Sequence, residues 1–165
     1  MLLVRRRKLD DILEKIDWHT IIFLAGLFVM VGGLERTGVL DGLADFFVGA
    51  SGGSTELLVL MLFWSVALIS ALLDNIPVAA AMIPVIRSLS ADTGLSGSSL
   101  AFTTALACDV SGNATPIGAS ANVVGLAVAE KNGVHWSWKE YCKVAIPATL
   151  VVLSVISVLV LLTLY

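Results

Sequence analysis

The sequence predicts an all-α membrane protein with a re-entrant helical hairpin and a discontinuous transmembrane helix, and three observations carry that prediction. Hydrophobic residues make up 58% of the chain and charged ones 14%, with a mean hydropathy of +0.95, far more apolar than an average soluble domain. Uncharged runs of span length alternate with short polar segments. The stretch Cys108-Asp109-Val110-Ser111-Gly112-Asn113-Ala114-Thr115-Pro116-Ile117-Gly118-Ala119-Ser120-Ala121-Asn122 is polar, small and broken by proline, yet it lies between apolar runs. Lipid satisfies no backbone group, so a break at that depth is covered by protein or lines a water-filled cavity.

Composition also removes some classes. A formal net charge of −3 gives no electrostatic footprint for nucleic acid. The two cysteines, Cys108 and Cys142, suggest neither a disulfide framework nor a metal site.

In chain order, residues 1–17 read as a cytoplasmic amphipathic segment. Leu9, Ile12, Leu13 and Ile16 recur at helical spacing, and the apolar run ahead of Arg5-Arg6-Arg7-Lys8 is too short for a signal peptide. Residues 18–34 hold no Asp, Glu, Lys or Arg and are just long enough to span. Residues 35–51 alternate apolar positions with Asp41 and Asp45, as a helix along the membrane surface does, and end in a Gly/Ser loop.

Residues 57–73 form a second uncharged run that stops at Asp74-Asn75-Ile76-Pro77, and the uncharged run after it, 75–86, has 12 residues. A helix of that length reaches about 18 Å against a hydrocarbon core near 30 Å. Residues 57–89 are therefore expected to enter and leave on one side, with residues 74–77 at the tip. Pro77 suits the first position of the returning helix, and Asp74 or Asn75 its N-cap.

From 93 to 129 the only charged residue is Asp109. Residues 97–129 then read as a broken helix, one half ending near Asp109 and the other starting near Pro116. The loop 130–143 carries Trp136 and Trp138 as interfacial anchors, and 144–165 is a final uncharged span. With a non-crossing hairpin, Arg5, Arg6, Arg7, Lys8, Lys15, Lys131, Lys139 and Lys143 share one side, against Arg36 and Arg87 on the other. The positive-inside rule puts the first group in the cytoplasm, giving a multi-pass protein of the cell (inner) membrane with a cytoplasmic N-terminus.

The segments 74–84 (Asp74-Asn75-Ile76-Pro77-Val78-Ala79-Ala80-Ala81-Met82-Ile83-Pro84) and 112–124 (Gly112-Asn113-Ala114-Thr115-Pro116-Ile117-Gly118-Ala119-Ser120-Ala121-Asn122-Val123-Val124) closely resemble the ion transporter superfamily. Within it they are most similar to the citrate-transporter-like group of P-protein-like and arsenical-pump-permease-like carriers. Residues 18–40, with Gly32-Gly33-Leu34-Glu35 and Thr37-Gly38-Val39-Leu40, fit the same pattern. The resemblance implies two inverted repeats, each with a re-entrant hairpin and a broken helix whose tips meet at a central site, and this chain matches the C-terminal repeat. By that analogy Asp74, Asn75 and Ile76 stand where dicarboxylate-transporting relatives carry Ser-Asn-Thr.

The expected function is secondary active transport of a small ion or anion, arsenite/anion permease-like, coupled to Na+ or H+, with no cofactor. Two half-helix N-termini direct unpaired N–H groups inward, while unwound carbonyls and the side chains of Asn75, Asn113, Thr115, Ser120 and Asn122 offer oxygen ligands. Asp74 and Asp109 are the acids inside the predicted spans, where a carboxylate holds a proton or coordinates a cation. The candidate site is thus Asp74, Asn75, Ile76, Pro77, Asp109, Gly112, Asn113, Thr115, Gly118, Ser120 and Asn122, with a Na+ position near Asp74, Asn75 and Asn113.

Plainer roles stand beside these. Asp74 caps a helix, Asp109 closes a half-helix and faces the other repeat, and Gly112, Gly118 and Gly125 allow close packing. His19 and His135 sit at interfaces without ligand-type neighbours. Alternative functions are a Na+/H+ antiporter, a regulatory or vestigial half, and an intramembrane enzyme using Asp74 with Asp109 or Ser120. The last lacks a His in the interior of a span, since His19 stands at the interfacial end of the first. Expected partners are the bilayer and either the N-terminal repeat, on a separate chain or a missing region, or a second copy.

Overall fold

The computed structural model describes residues 18–164, and every regular element among them is helical. The elements are α1 (Trp18–Arg36), α2 (Val39–Ser51), α3 (Thr55–Ser70), α4 (Asn75–Thr93), α5 (Gly97–Ser111), a 3-10 turn (Gly112–Ala114), α6 (Ser120–Lys131) and α7 (Trp138–Leu164). The expected amphipathic segment 1–17 lies outside the described residues.

Gly38, at φ 72°, ends the first helix, a conformation that glycine adopts without penalty, and α2 leaves at 65° to α1. Leu40, Ala44, Phe47 and Ser51 recur along one buried face of α2, while Asp41 and Asp45 are exposed. Ser54 caps α3 by accepting the Leu57 N–H at 3.2 Å. From there α3 is apolar on most sides and buries Leu58, Val59, Leu62, Phe63, Val66 and Ala67.

The core forms where α5 packs along both α3 and α4, with α2 on α4 and α7 on α5. Val85, Leu89, Leu100 and Ala107 are fully enclosed there. The α2–α3 loop and the end of α4 share one cleft, in which Ser51, Gly53 and Thr55 face Thr93 and Leu95. The α3–α4 pair therefore starts and finishes at one end of the bundle. Its other end, at Ala71 and Leu72, lies beside Ile146, Thr149 and Leu150 of α7. Counted at 1.5 Å per residue from Trp138, those positions stand about 12–18 Å along α7.

Two helix boundaries differ from the sequence expectation. The returning helix α4 has 19 residues, outrunning the uncharged stretch because Arg87 and Asp92 sit exposed near its outer end. Asp74 rather than Asn75 is its N-cap, so Pro77 is the third helical residue instead of the first. That shift costs nothing, since the N–H groups of the first turn have no intrahelical acceptor. The first half of the broken helix ends at Ser111, near Asp109 as expected, and the second restarts at Ser120 rather than near Pro116. Thr115 precedes proline and is driven into the extended region, at φ −129° and ψ 158°, which keeps residues 115–119 out of the helix. Among the described residues α7 is the single helix long and apolar enough to cross a membrane, and α1, the expected span 18–34, passes the same test only as a bent pair with α2.

Candidate functional site

The two interruptions of the helices meet. Ser70, the last residue of α3, is fully buried and donates its hydroxyl to the Cys108 carbonyl at 3.0 Å. One residue on, the Ala71 carbonyl, left without an intrahelical partner at a helix end, accepts the hydroxyl of Thr115. Thr115 in turn accepts the Gly118 N–H at 3.0 Å. These contacts tie the turn 71–74 to the break 112–119.

Within the break, Asn122 reaches back from the first turn of α6, and its Nδ2 donates to the carbonyls of Gly112 at 2.9 Å and Thr115 at 3.1 Å. Asn113 donates its Nδ2 to the Asp109 and Val110 carbonyls, both at 3.3 Å, and its own carbonyl accepts the Tyr141 hydroxyl at 3.2 Å. Gly112 and Gly118 are in backbone contact. A Cβ on Gly118 would stand 2.6 Å from the Gly112 carbonyl oxygen and 2.9 Å from that of Ala71, and one on Gly112 would stand 2.8 Å from the Gly118 oxygen. Gly125, expected to serve close packing as well, has nothing within 4 Å among the described residues.

Of the expected site residues, Gly112, Asn113, Thr115, Gly118 and Asn122 form this hydrogen-bonded unit. Asp74 follows three residues after Ala71 and is half-buried, its Oδ1 accepting the Ile76 N–H at 3.3 Å. Asn75 and Pro77 are half-buried beside it, while Ile76 and Ser120 are exposed. Asp109 stands apart, exposed on the outer face of α5. Among the described residues its carboxylate has no hydrogen-bond or ion-pair partner. The two helix N-termini also differ: α4 is capped by Asp74, and the N-cap of α6, Ala119, offers no side-chain bond. An uncapped N-terminus keeps its partial positive charge available.

Three participants escaped the sequence reading: Ser70, the Ala71 carbonyl and Tyr141. Ser70 interrupts an apolar run four residues before Asp74, which is a faint signal, and Tyr141 reads only as part of an interfacial loop. His135 stands at the surface, 3.8 Å from Glu130, and among the described residues no three of His, Cys, Asp and Glu gather as a metal-ligand set. An apolar cavity of about 260 Å³ adjoins the tied segments, lined by Trp64, Ala71, Thr115, Thr149 and Leu153 among others.

The family model described as citrate transporter matches residues 1–107 and 48–165. A 46 kDa membrane protein of Mycobacterium leprae is 35% identical over 153 residues, covering 92% of this chain and 36% of that protein. An uncharacterized transporter of Mycobacterium tuberculosis is 38% identical over 136 residues, 81% of this chain and 32% of its own length. The P protein of Homo sapiens is 34% identical over 149 residues, 86% of this chain and 18% of that protein. The chain thus spans about a third of the length of its bacterial relatives, and no solved structure matches it. A chain whose described elements are all helical and whose helix breaks are bonded to each other, matched along its length by this model, is a membrane protein and belongs to the citrate transporter family.

Proposed function

We propose that this chain forms one repeat of a secondary active transporter that moves a small anion coupled to Na+ or H+. The observation that carries the proposal is the bonding of residues 70 and 71 at the end of α3 to Cys108 and the break 112–119, which gathers polar groups in an otherwise apolar bundle. A re-entrant α3–α4 hairpin is supported by its tip lying about 12–18 Å along α7 from Trp138. The coupling cation is assigned to the side of Asp74, Asn75 and Asn113. Asp74 already neutralises the N-terminus of α4 and keeps carboxylate lone pairs beyond the one facing the Ile76 N–H. The anion is assigned to the uncapped N-terminus of α6, beside Ser120 and Asn122.

The family description makes citrate the first solute to test, with arsenite and chloride beside it. A carboxylate substrate would meet the charge of Asp74 unless a cation lies between them, so coupling and substrate binding are expected to be inseparable. The remaining site groups come from the other repeat, on the same polypeptide, a separate chain or a second copy, with both the N-terminus and the loop 130–143 cytoplasmic.

Asp74→Asn tests the assignment, because Asn caps a helix about as well as Asp but carries no charge. The complete transporter with Asp74→Asn, reconstituted in liposomes, is expected to lose the dependence of citrate uptake on sodium or pH gradients while keeping its thermal stability. Wild-type uptake with an unchanged dependence on both ions would leave Asp74 as a cap alone.

A further inference from the structure

The tip is joined to the break by the Thr115 hydroxyl, and just behind it the end of α3 is held to α5 by the Ser70 hydroxyl. Thr115 is buried, donates to the Ala71 carbonyl and accepts the Gly118 N–H. Ser70 is fully buried behind it and donates to the Cys108 carbonyl. We infer that Thr115 and Ser70 are positioning residues, fixing the distance between the Asp74 carboxylate and the amide side chains of the break without touching the transported ion.

The geometry transmits in both directions. On the hairpin side, the N–H groups of Leu72 and Leu73 both close on the Ile69 carbonyl, at 3.1 and 3.0 Å, so the path from Ala71 to Asp74 is a tight turn with little slack. Holding Ala71 therefore holds Asp74. On the break side, the Thr115 carbonyl is gripped by Asn122 Nδ2, so the residue that holds Ala71 also registers the first turn of α6. Gly118 wedges between the Gly112 and Ala71 carbonyls with no room for a Cβ, which prevents the two segments from closing further. Thr115 prevents them from parting.

The two hydroxyls differ in weight. Removing the Thr115 hydroxyl leaves the part-buried Ala71 oxygen without its donor, whereas the Cys108 oxygen keeps the Gly112 N–H and the Ser111 hydroxyl if Ser70 is lost. An unsatisfied buried acceptor is the costlier outcome.

Hydrogen–deuterium exchange on the complete transporter in lipid nanodiscs tests the tie without requiring a substrate. Thr115→Val is expected to speed exchange roughly tenfold in both 72–76 and 115–122. Ser70→Ala should give a smaller rise in the same two segments, and Thr115→Ser should match wild type. Faster exchange confined to 115–122, or Ser70→Ala indistinguishable from wild type, would overturn the inference.

A second readout rests on the coupling proposal: the sodium concentration for half-maximal uptake should rise roughly tenfold in Thr115→Val and return with Thr115→Ser. Exchange coupled as expected in variants that are all indifferent to sodium would uphold the tie and remove the sodium assignment alone.

Discussion

At the scale of single residues, Gly112 and Gly118 earn their identity by space. Both lie in the break with no positive φ, so their backbone conformations are open to other residues, and what excludes a side chain is the opposing carbonyl 2.6–2.8 Å from where a Cβ would sit. Gly118→Ala is therefore expected to destabilise the protein by about 1–3 kcal/mol, the usual penalty of forced overpacking, visible as a lowered melting temperature in detergent or nanodiscs. Gly125→Ala serves as the contrast. It sits in the helix α6 with open space around it, so it should be neutral or stabilising by up to about 1 kcal/mol. Equal losses in both variants would contradict the steric account. This distinction was not legible in the sequence, where the three glycines look alike. Composition exposes small residues near a proline but not which of them oppose a distant backbone atom. Asp74 was legible as a cap because Asp before a helix start has a local chemical reason, while Ser70 was not, because its acceptor is 38 residues away.

At the scale of elements, the uncharged runs located the helices and misjudged their ends for a consistent reason. Hydropathy follows the membrane, whereas a helix continues wherever its backbone bonds continue, so α4 carries Arg87 and Asp92 past the apolar stretch to its Gly94 cap. The break was visible from Pro116, yet its limits follow from Thr115 being forced into extended geometry and from the 3-10 turn that precedes it. Sidedness is testable on these elements. Ala50 and Asp92 are exposed at the end of the bundle where the α2–α3 loop meets the end of α4, and Asn132 is exposed in the loop after α6. In a background lacking Cys108 and Cys142, Ala50→Cys and Asp92→Cys should both react with an impermeant thiol reagent applied outside intact cells, and Asn132→Cys only after permeabilisation. Reaction at Ala50→Cys without Asp92→Cys would remove the re-entrant hairpin.

At the scale of the whole molecule, α6 has no buried residue and is only loosely held against the other described helices, and Val123, Val124 and Val128 are at least half exposed on it. Asp109 is exposed on α5, a carboxylate that lipid does not satisfy and that has no partner among the described residues. The chain is expected to associate with another repeat when one is co-produced, or with a second copy when produced alone, as read by cross-linking and by mass in nanodiscs, and Val124→Asp should weaken that association. A lone chain that transports citrate as a monomer would contradict this. The ties at Ser70 and Ala71 also impose an order of events during synthesis. Their partners lie 38 and 44 residues further on, which at ordinary elongation rates means roughly 2–9 s in which the hairpin exists without the groups that satisfy its tip. In the proposed re-entrant arrangement, the hairpin is expected to enter the hydrocarbon late, once α5 and the break have emerged to receive its tip.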